Sequence, residues 1–458
     1  MTLNIVILAA GVGKRMQSKT PKVLHHLAGK PLIEHVIQTA LKLQPAAPPT
    51  IIYGHEGAVI QQALASFNVK WVEQSQQLGT GHAVLQALPL IPKENRILIL
   101  YGDVPLISLE TLQYFIKQTP KDAVGIITAH LPNSDGLGRI VRDAKNNITQ
   151  IIEEKDANEI QRAIQEINSG IYLVPARYLQ EWLPTLDNKN AQQEYYLPDI
   201  IKIAVKKNIP VHSIQPSHHE EVLGVNDRAQ LAYLERFYQH QLAKKLMQRG
   251  VTLLDPSRFD VRGELTVGLD VEIDINVIIE GHVTIGNHCT IGPNTVLRDT
   301  MIGDHVTIKA NSVIEEAKIA KECVIGPFAR IRPGTVISEK THVGNFVEIK
   351  NSAIGVATKI NHLTYVGDSD VGNHVNIGAG TITCNYDGIN KHRTTIKNGA
   401  FIGSNAVLIA PVIIGESAYI AAGSAIARDA PAHQLTICRA QARSIDHWEK
   451  PKKKEKEK

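Results

Sequence analysis

The sequence is short of several things, and each shortage excludes a class of protein. No run approaches the ~18 consecutive apolar residues that a membrane-spanning helix needs. The start, MTLNIVILAAG, carries neither a basic n-region nor a cleavage site. A cytoplasmic protein with no targeting segment and no membrane association is expected. Charge of one sign is also scarce: the net charge is +4, and Pro451 to Lys458, with five Lys and two Glu, supplies +3 of it. The remaining body lacks the clustered cations of a nucleic-acid groove, so no nucleic-acid partner is expected. The tail reads as a solvated, frayed end. Only four cysteines occur, Cys289, Cys323, Cys384 and Cys438, with no C-x-x-C pair. They read as reduced core or site thiols, not as zinc ligands or a disulfide frame.

What remains suits a soluble globular chain. Of 458 residues, 43% are hydrophobic, 21% charged and 5% aromatic, and the length predicts two to three domains. The second half contains a repeat. An aliphatic residue returns every sixth position at Val267, Ile273, Ile279, Ile285, Ile291 and Leu297, resumes at Ile302, and continues with single skips through Ile377. After an interruption it restarts at Ile396 and runs to Ile426. Glycine often follows, as in Ile285-Gly286 and Ile402-Gly403. A period of six fits no helix; it predicts short strands and tight turns, three to a coil, with the aliphatic residue pointing inward. The expected product is a prism-shaped parallel β-helix whose hand the period does not give.

The first half predicts an α/β domain with a mainly parallel sheet. NIVILAAG, RILILYGD, VGIITAHL and GIYLVP read as strands separated by helical or loop segments such as Pro31 to Leu43. Between the halves, Asp227 to Gly250 has helical apolar spacing, an acidic start and a glycine stop. The expected organisation is therefore a domain over 1–226, a connecting helix over 227–250 and a solenoid over 251–458 that includes the tail.

Residues 8–16, LAAGVGKRM, follow a strand and hold Gly11 and Gly13, with Lys14, Arg15 and Lys22 nearby. Such a turn brings backbone N–H groups to phosphate oxygens, and the cations neutralise a triphosphate. An ordinary strand-to-helix glycine turn carries the same residues. Met16 replaces the third glycine of G-x-G-x-x-G and no G-x-x-x-x-G-K-[ST] occurs, which weakens dinucleotide and P-loop readings. A second glycine loop, QLGTGHA (77–83), and Tyr101-Gly102-Asp103 at the end of a buried strand favour a nucleotide site. There Asp103 faces the crevice where open α/β sheets bind ligands, and it suits Mg²⁺ as a hard oxygen donor.

LAAGxGxRM, PKVLH, QxxQLGTGHA, LYGDVPL, EIN-[ST]-G and GVNxR, in this order and followed by a hexapeptide solenoid, span nearly the whole chain. In this the chain resembles the family of bacterial bifunctional N-acetylglucosamine-1-phosphate uridyltransferases and glucosamine-1-phosphate acetyltransferases. The resemblance implies an α/β nucleotidyltransferase domain with a Rossmann-like mixed sheet, then a parallel left-handed β-helix of hexapeptide repeats. It implies UTP-binding positions at Leu8, Ala9, Ala10, Gly11 and Lys22, uracil contacts from Gln74, Gly79 and Thr80, and further UTP or UDP-N-acetylglucosamine contacts at Tyr101, Gly102, Asp103 and Asn226. Gly138, Glu153 and Asn168 are implied for the sugar, and Asp103 with Asn226 for Mg²⁺. Lys14 departs from the Thr or Ser usual in the family.

In the solenoid, polar residues that interrupt the aliphatic ladder are informative. They cluster in ARIRPG with Arg330 and Arg332, VEIKN with Lys350, and NHLTYVGD with His362 and Tyr365. NIGAGTITCNYDG then breaks the repeat with a loop of about a dozen residues before Ile396, a length uncommon without function. A histidine accepts protons near neutral pH, so His362 suits a general base. The resemblance implies Arg332 and Lys350 for a sugar phosphate, His362 as base, Tyr365 and Asn376 for the sugar, and acetyl-CoA along Ala379, Asn385, Tyr386, Ser404, Ala422 and Arg439. It also implies a homotrimer through the β-helix with sites formed between subunits. The expected reactions are acetylation of glucosamine 1-phosphate by acetyl-CoA, then uridylyl transfer from UTP. Two alternatives remain: a single-activity sugar nucleotidyltransferase with a structural, trimerising solenoid, and a non-catalytic scaffold.

Overall fold

A computed structural model describes residues 2–11, 13–54 and 57–450. The basic tail and the side chain of Lys14 lie outside the described residues. The chain forms two compact units, divided between Leu242 and Ala243. No helix among the described residues is long and apolar enough to cross a membrane.

The first unit is built on nine strands: β1 (Leu3–Leu8), β2 (Thr50–Tyr53), β3 (Lys70–Glu73), β4 (Arg96–Tyr101), β5 (Val124–His130), β6 (Arg139–Arg142), β7 (Ile148–Ile152), β8 (Glu166–Pro175) and β9 (Val211–Ile214). Their order is β9-β5-β8-β4-β1-β2-β3, with β6 and β7 as an antiparallel hairpin on β8. The sheet is mixed: β1 runs parallel to β2 and β4, and β8 runs antiparallel to β4 and β5. Both faces are covered, so the strands read as continuous apolar runs. Ile5, Ile7, Leu98 and Leu100 face one core layer, and Val6, Leu8, Ile97 and Ile99 the other.

Helix α1 (Leu32–Lys42) buries Leu32, Ile33, Val36, Ile37 and Ala40, a single stripe at helical period. Helix α2 (Thr80–Ala87) packs on the opposite layer through Ala83, Val84 and Ala87. Helix α3 (Leu109–Gln118) is capped by Ser108, whose hydroxyl accepts from Thr111 N at 3.1 Å. Because the chain leaves β1 toward β2 and later returns on β1's other side as β4, strand order reverses between β1 and β4. The carboxyl ends of these two strands therefore bound a crevice, the usual ligand position in such sheets. The expected connecting helix is observed at Arg228–Gln248, with Gly250 just beyond it at φ +92°.

The second unit is a parallel solenoid. One face is an 11-stranded ladder and the other strands form a continuous 17-stranded one, all pairs parallel. Partners in successive coils lie 17 or 18 residues apart, as three hexads with occasional skips require. Every aliphatic rung read from the sequence is buried except Val267, in the first coil, which is half-buried. The interruption is shorter than expected. Ile382–Cys384 is still a strand, in register with Tyr365 through Ile382. That register sets Thr383, 1% exposed, on the rung, and its hydroxyl accepts from Gly367 N at 2.8 Å. A threonine is shaped like valine, so it keeps the packing, yet its polarity hid the rung from a search for aliphatics. The loop proper is 385–393, and coil partners on either side of it lie 25 residues apart.

Two candidate active sites

In the first unit, one more ladder bond joins the carboxyl ends of β1 and β4 at the crevice: Gly102 N donates to Leu8 O at 2.9 Å. Leu8, Ala9, Ala10, Gly11, Lys22, Gln74, Gly79, Thr80, Tyr101 and Asp103 line one cleft of about 480 Å³. Val23, Gln77, Ala83 and Glu194 complete the lining; of these, Glu194 lies in no motif read from sequence. Gln77 ties the two glycine loops together, its amide donating to Ala10 O at 2.9 Å. Gln74 is buried, and its Nε2 donates to Gly79 O at 3.0 Å. Thr80 Oγ1 accepts from Leu197 N at 3.0 Å, which anchors the start of α2.

Asp103 and Asn226 come from distant parts of the chain and converge on one cation. Lys22 Nζ donates to Asp103 Oδ2, and to Asn226 Oδ1 at 3.2 Å. A backbone bond from Val225 N to Asp103 O, 2.8 Å, holds the two segments together. Segment 218–226 is fixed in turn by the buried Glu221, which accepts from Ser108 Oγ and Thr111 Oγ1, both at 2.6 Å.

Gly138, Glu153 and Asn168 form a neighbouring cluster. A Cβ on Gly138 would lie 3.0 Å from Glu153 Oε1 and 3.5 Å from Asn168 Cβ. Asn168 Oδ1 accepts from Gly170 N at 2.9 Å and Tyr172 OH at 3.0 Å, leaving its amide N–H groups as donors. Gly170, at φ +81°, lets the Tyr101 ring lie against it: a Cβ there would sit 2.6 Å from the ring. Burial, then the charges of Glu153 and Asp103, push the Tyr101 hydroxyl well above its ordinary range. It thus stays a neutral donor between the two clusters.

Burial, then Asp156, Asp199 and Glu194, push Glu153 up to about 7. A carboxyl raised in the fold favours the protonated folded state. Its stabilisation is complete below the ordinary 4.5 and is lost as pH rises through about 7. Glu153→Gln removes this loss. Thermal melts of the ligand-free protein should show the variant gaining on wild type between pH 4.5 and pH 8; parallel curves would refute the raised carboxyl.

In the second unit, charge alternates along one column. Arg262 pairs with Glu280 at 3.3 Å, Glu280 with Arg298, and Arg298 with Glu315 at 2.9 Å. Register places Arg332 next and Lys350 after it, two cations in succession. Arg332 pairs with Glu348 at 2.7 Å. Lys350 is held below its ordinary range by Lys391 first and then by burial, while Asp368, 3.7 Å away, acts in the opposite sense. Lys391 comes from the inserted loop and was not singled out from sequence; this surplus of cations suits a phosphate. Tyr365 stands on the strand beside Lys350's and pairs with Glu348.

His362 stands at a corner of the prism, exposed, with Nδ1 2.7 Å from Asn345 Oδ1 in the preceding coil. Because an amide oxygen can only accept, Nδ1 is the donor in this contact, and the ring's other nitrogen, Nε2, is not engaged by Asn345. Asn345 was likewise not singled out. Backbone bonds build one column from these coils: Leu363 N to Asn345 O, Gly380 N to His362 O, Asn405 N to Ala379 O, and Gly423 N to Ser404 O. Arg439 Nη1 caps it on Ala422 O at 3.0 Å. Ala379, Ser404 and Ala422 therefore continue His362's corner as a line of small side chains. Asn385 is buried beside Asp368, whereas Tyr386 projects into solvent with its OH on Gly388 O. The chain does not bring Asn376 into this group; it lies on another column, between Lys359 and Phe401. All four cysteines are free thiols.

Among the described residues no cluster of three His, Cys, Asp or Glu could hold a metal. Two oxygens, from Asp103 and Asn226, nevertheless converge on a positive charge. That donor set fits a hard divalent cation that takes its other ligands from water and phosphate.

Family models match residues 5–197 as a MobA-like NTP transferase domain, 261–354 as a GMPPB C-terminal domain and 393–428 as bacterial transferase hexapeptide repeats. "Bifunctional protein GlmU" of Nitrosospira multiformis is 53% identical over 457 residues, covering 100% of this chain and 99% of that protein. "Bifunctional protein GlmU" of Alcanivorax borkumensis is 54% identical, covering 99% and 100%. A solved UDP-glucose pyrophosphorylase complexed with UDP-glucose aligns over 53% of this chain and 100% of its own, at 17% identity and TM-score 0.43.

Proposed function

The chain belongs to the family of bifunctional GlmU proteins, and from that premise we propose how its two units divide the work. It is a bifunctional transferase of UDP-N-acetylglucosamine and cell-wall synthesis. It acetylates glucosamine 1-phosphate with acetyl-CoA, then joins N-acetylglucosamine 1-phosphate to uridylyl from UTP, giving UDP-N-acetylglucosamine and pyrophosphate. In this reading residues 1–226 carry uridylyl transfer, 227–250 connect, and 251–458 carry acetyl transfer. Supply to peptidoglycan and lipopolysaccharide, and a cytoplasmic location beside UTP and acetyl-CoA, belong to the same proposal.

In the crevice, Leu8 to Gly11 and Lys22 receive the triphosphate, and Gln74, Gly79 and Thr80 the uracil. Gly138, Glu153 and Asn168 orient the sugar, while Tyr101 spans the two ends. A sugar-phosphate oxygen forms the new bond to the α-phosphorus as the bond to pyrophosphate breaks, a step that asks for alignment and charge neutralisation. Mg²⁺, held by Asp103 and Asn226, supplies part of that neutralisation when bound.

In the solenoid, Arg332, Lys350 and Lys391 hold the sugar phosphate, and Tyr365 the ring. His362 Nε2 takes a proton from the sugar ammonium, and the freed amine attacks the thioester carbonyl. The resulting tetrahedral centre collapses to the amide as the carbon–sulfur bond breaks, and the nitrogen's surplus proton passes to the departing thiolate. Acetyl-CoA lies along Ala379, Ser404 and Ala422, where small side chains leave a groove, with Asn385, Tyr386 and Arg439 at its sides. The observation that carries the two-reaction reading over a merely structural solenoid is His362, oriented by Asn345, at the head of that groove. Measuring both reactions on one preparation tests it.

The finer proposal is a homotrimer. Phe328, Phe346 and Leu363 occupy one corner in consecutive coils at φ of 54°, 57° and 48°, a conformation that bulky residues rarely adopt. They are 48%, 54% and 62% exposed, and the two phenyl rings stack at 5.1 Å. A second copy would cover this stripe, which flanks His362, and could supply the missing Asn376. Phe346→Asp should abolish self-association in sedimentation and cut acetyl transfer at least about tenfold, the cost of a charge buried in such a contact. Uridylyl transfer should persist; an intact oligomer with full acetyl transfer would refute the corner as the interface.

A further inference from the structure

Asp368 has no part in the scheme above, yet it contacts both Lys350 and the inserted loop of the acetyl-transfer site. It follows the strand Tyr365–Gly367, is 5% exposed and has φ +47°. Its Oδ1 accepts from Asn351 Nδ2 at 2.5 Å, and its Oδ2 accepts from Asn385 Nδ2. Its backbone carbonyl accepts from Thr394 N at 3.3 Å. Asn385 begins the inserted loop and Thr394 follows its end, so one residue fastens both ends. The loop's interior is braced separately by Asp387, which accepts from Ile389 N at 2.8 Å and Asn390 N at 2.6 Å and pairs with His392 at 2.7 Å.

The same carboxylate faces Lys350 at 3.7 Å and feels the charge of Lys391 on the loop. The other charges around this cluster are Arg332 with its partner Glu348, and the Arg393–Asp370 pair. Burial raises the Asp368 carboxyl, but the amides of Asn351 and Asn385 and the charges of Lys350 and Lys391 hold it below its ordinary range. It therefore stays ionised where two lysines crowd each other.

We propose that Asp368 is a positioning residue for acetyl transfer, tying the acyl-CoA loop to the phosphate-binding lysines so that one carboxylate assembles both halves of the site. The inference rests on the acetyl-transfer reading above. An ionised carboxylate accepts from Asn351 and Asn385 together, whereas an amide in its place accepts from one and turns its own N–H₂ toward the other.

Steady-state kinetics of full-length Asp368→Asn test this. KM should rise about tenfold for both glucosamine 1-phosphate and acetyl-CoA, the loss of one charge-assisted bond at each, while kcat changes less than about threefold. Uridylyl transfer and the melting midpoint should match wild type. A purely structural role predicts the reverse split, with kcat falling alongside the folded fraction and both KM values unchanged. That result, unchanged kinetics, or a rise in the sugar-phosphate KM alone would each overturn the proposal. If Asp368→Asn does not fold, Asn351→Gly suits the same corner conformation and removes a single partner. It should give the same paired rise at about two- to threefold, and its absence would count against Asp368 equally. Wild-type protein without acetyl transfer would instead sink the reading on which the inference rests.

Discussion

Asp103→Asn should lose roughly 10³-fold in uridylyl transfer while leaving acetyl transfer at wild-type rate, because a fixed charge at a transferring phosphoryl group is worth that much. The substitution keeps the shape of the side chain, and the backbone bond from Val225 N to Asp103 O does not depend on it. What it removes is the negative charge that meets Lys22 and, with Asn226, forms the converging oxygen pair. Lys22 then stands without its counter-charge at the triphosphate position. The fold should survive, since Asp103 lies at the crevice mouth, outside both core layers of the sheet. Pyrophosphate release measured alongside acetyl transfer on one sample checks this. Wild-type uridylyl transfer by the variant would remove Asp103 from the site.

His362→Ala carries the second large effect: acetyl transfer should fall about 10²–10⁴-fold, the range for a lost general base. The side chain is exposed and its ring bonds only Asn345 among the described residues, so the ladder beneath it, Ile360 against Val343 and Ile377, is untouched. Self-association and CoA binding should stay near normal, and uridylyl transfer should be unaffected. A structural role for His362 predicts instead that the oligomer dissociates, which sedimentation would show. Loss of the oligomer with matching loss of both activities would leave no case for a base at this position.

How much of this was readable beforehand differs between the units for physical reasons. The solenoid core is local information: an inward rung every six residues shows from Val267 to Ile426 where the rung is aliphatic. It was hidden at Thr383 by the hydroxyl of a valine-shaped residue, and the reading began past Leu253 and Val261, buried rungs of the first coil. The site on that solenoid is not local. Asn345 lies beneath His362 only because coils repeat every 17 or 18 residues. Ala379 and Ser404 adjoin only because the loop 385–393 lengthens one coil, which sequence period alone does not reveal. Lys391 and Asp368 went unmarked because their meaning lies in charges brought from neighbouring coils. In the first unit, the glycine loops and the end of β4 were visible as strand-to-turn signals. Glu194 was not, since nothing beside it in the chain marks a ligand, and Gln77 was visible only as the first residue of its glycine loop. The expected mainly parallel sheet holds around β1, β2, β3 and β4. The antiparallel β8 and its hairpin, which carry Asn168 and border Gly138 and Glu153, make the sheet mixed.

The central claim is that one chain holds two independent reaction centres acting in sequence, and mixing the two disabled variants tests it most directly. Supplied with glucosamine 1-phosphate, acetyl-CoA and UTP, neither Asp103→Asn nor His362→Ala alone should form UDP-N-acetylglucosamine at an appreciable rate. Together they should restore it, since His362→Ala uridylylates what Asp103→Asn acetylates. A mixture as inactive as its components, with both proteins folded, would contradict the division of labour.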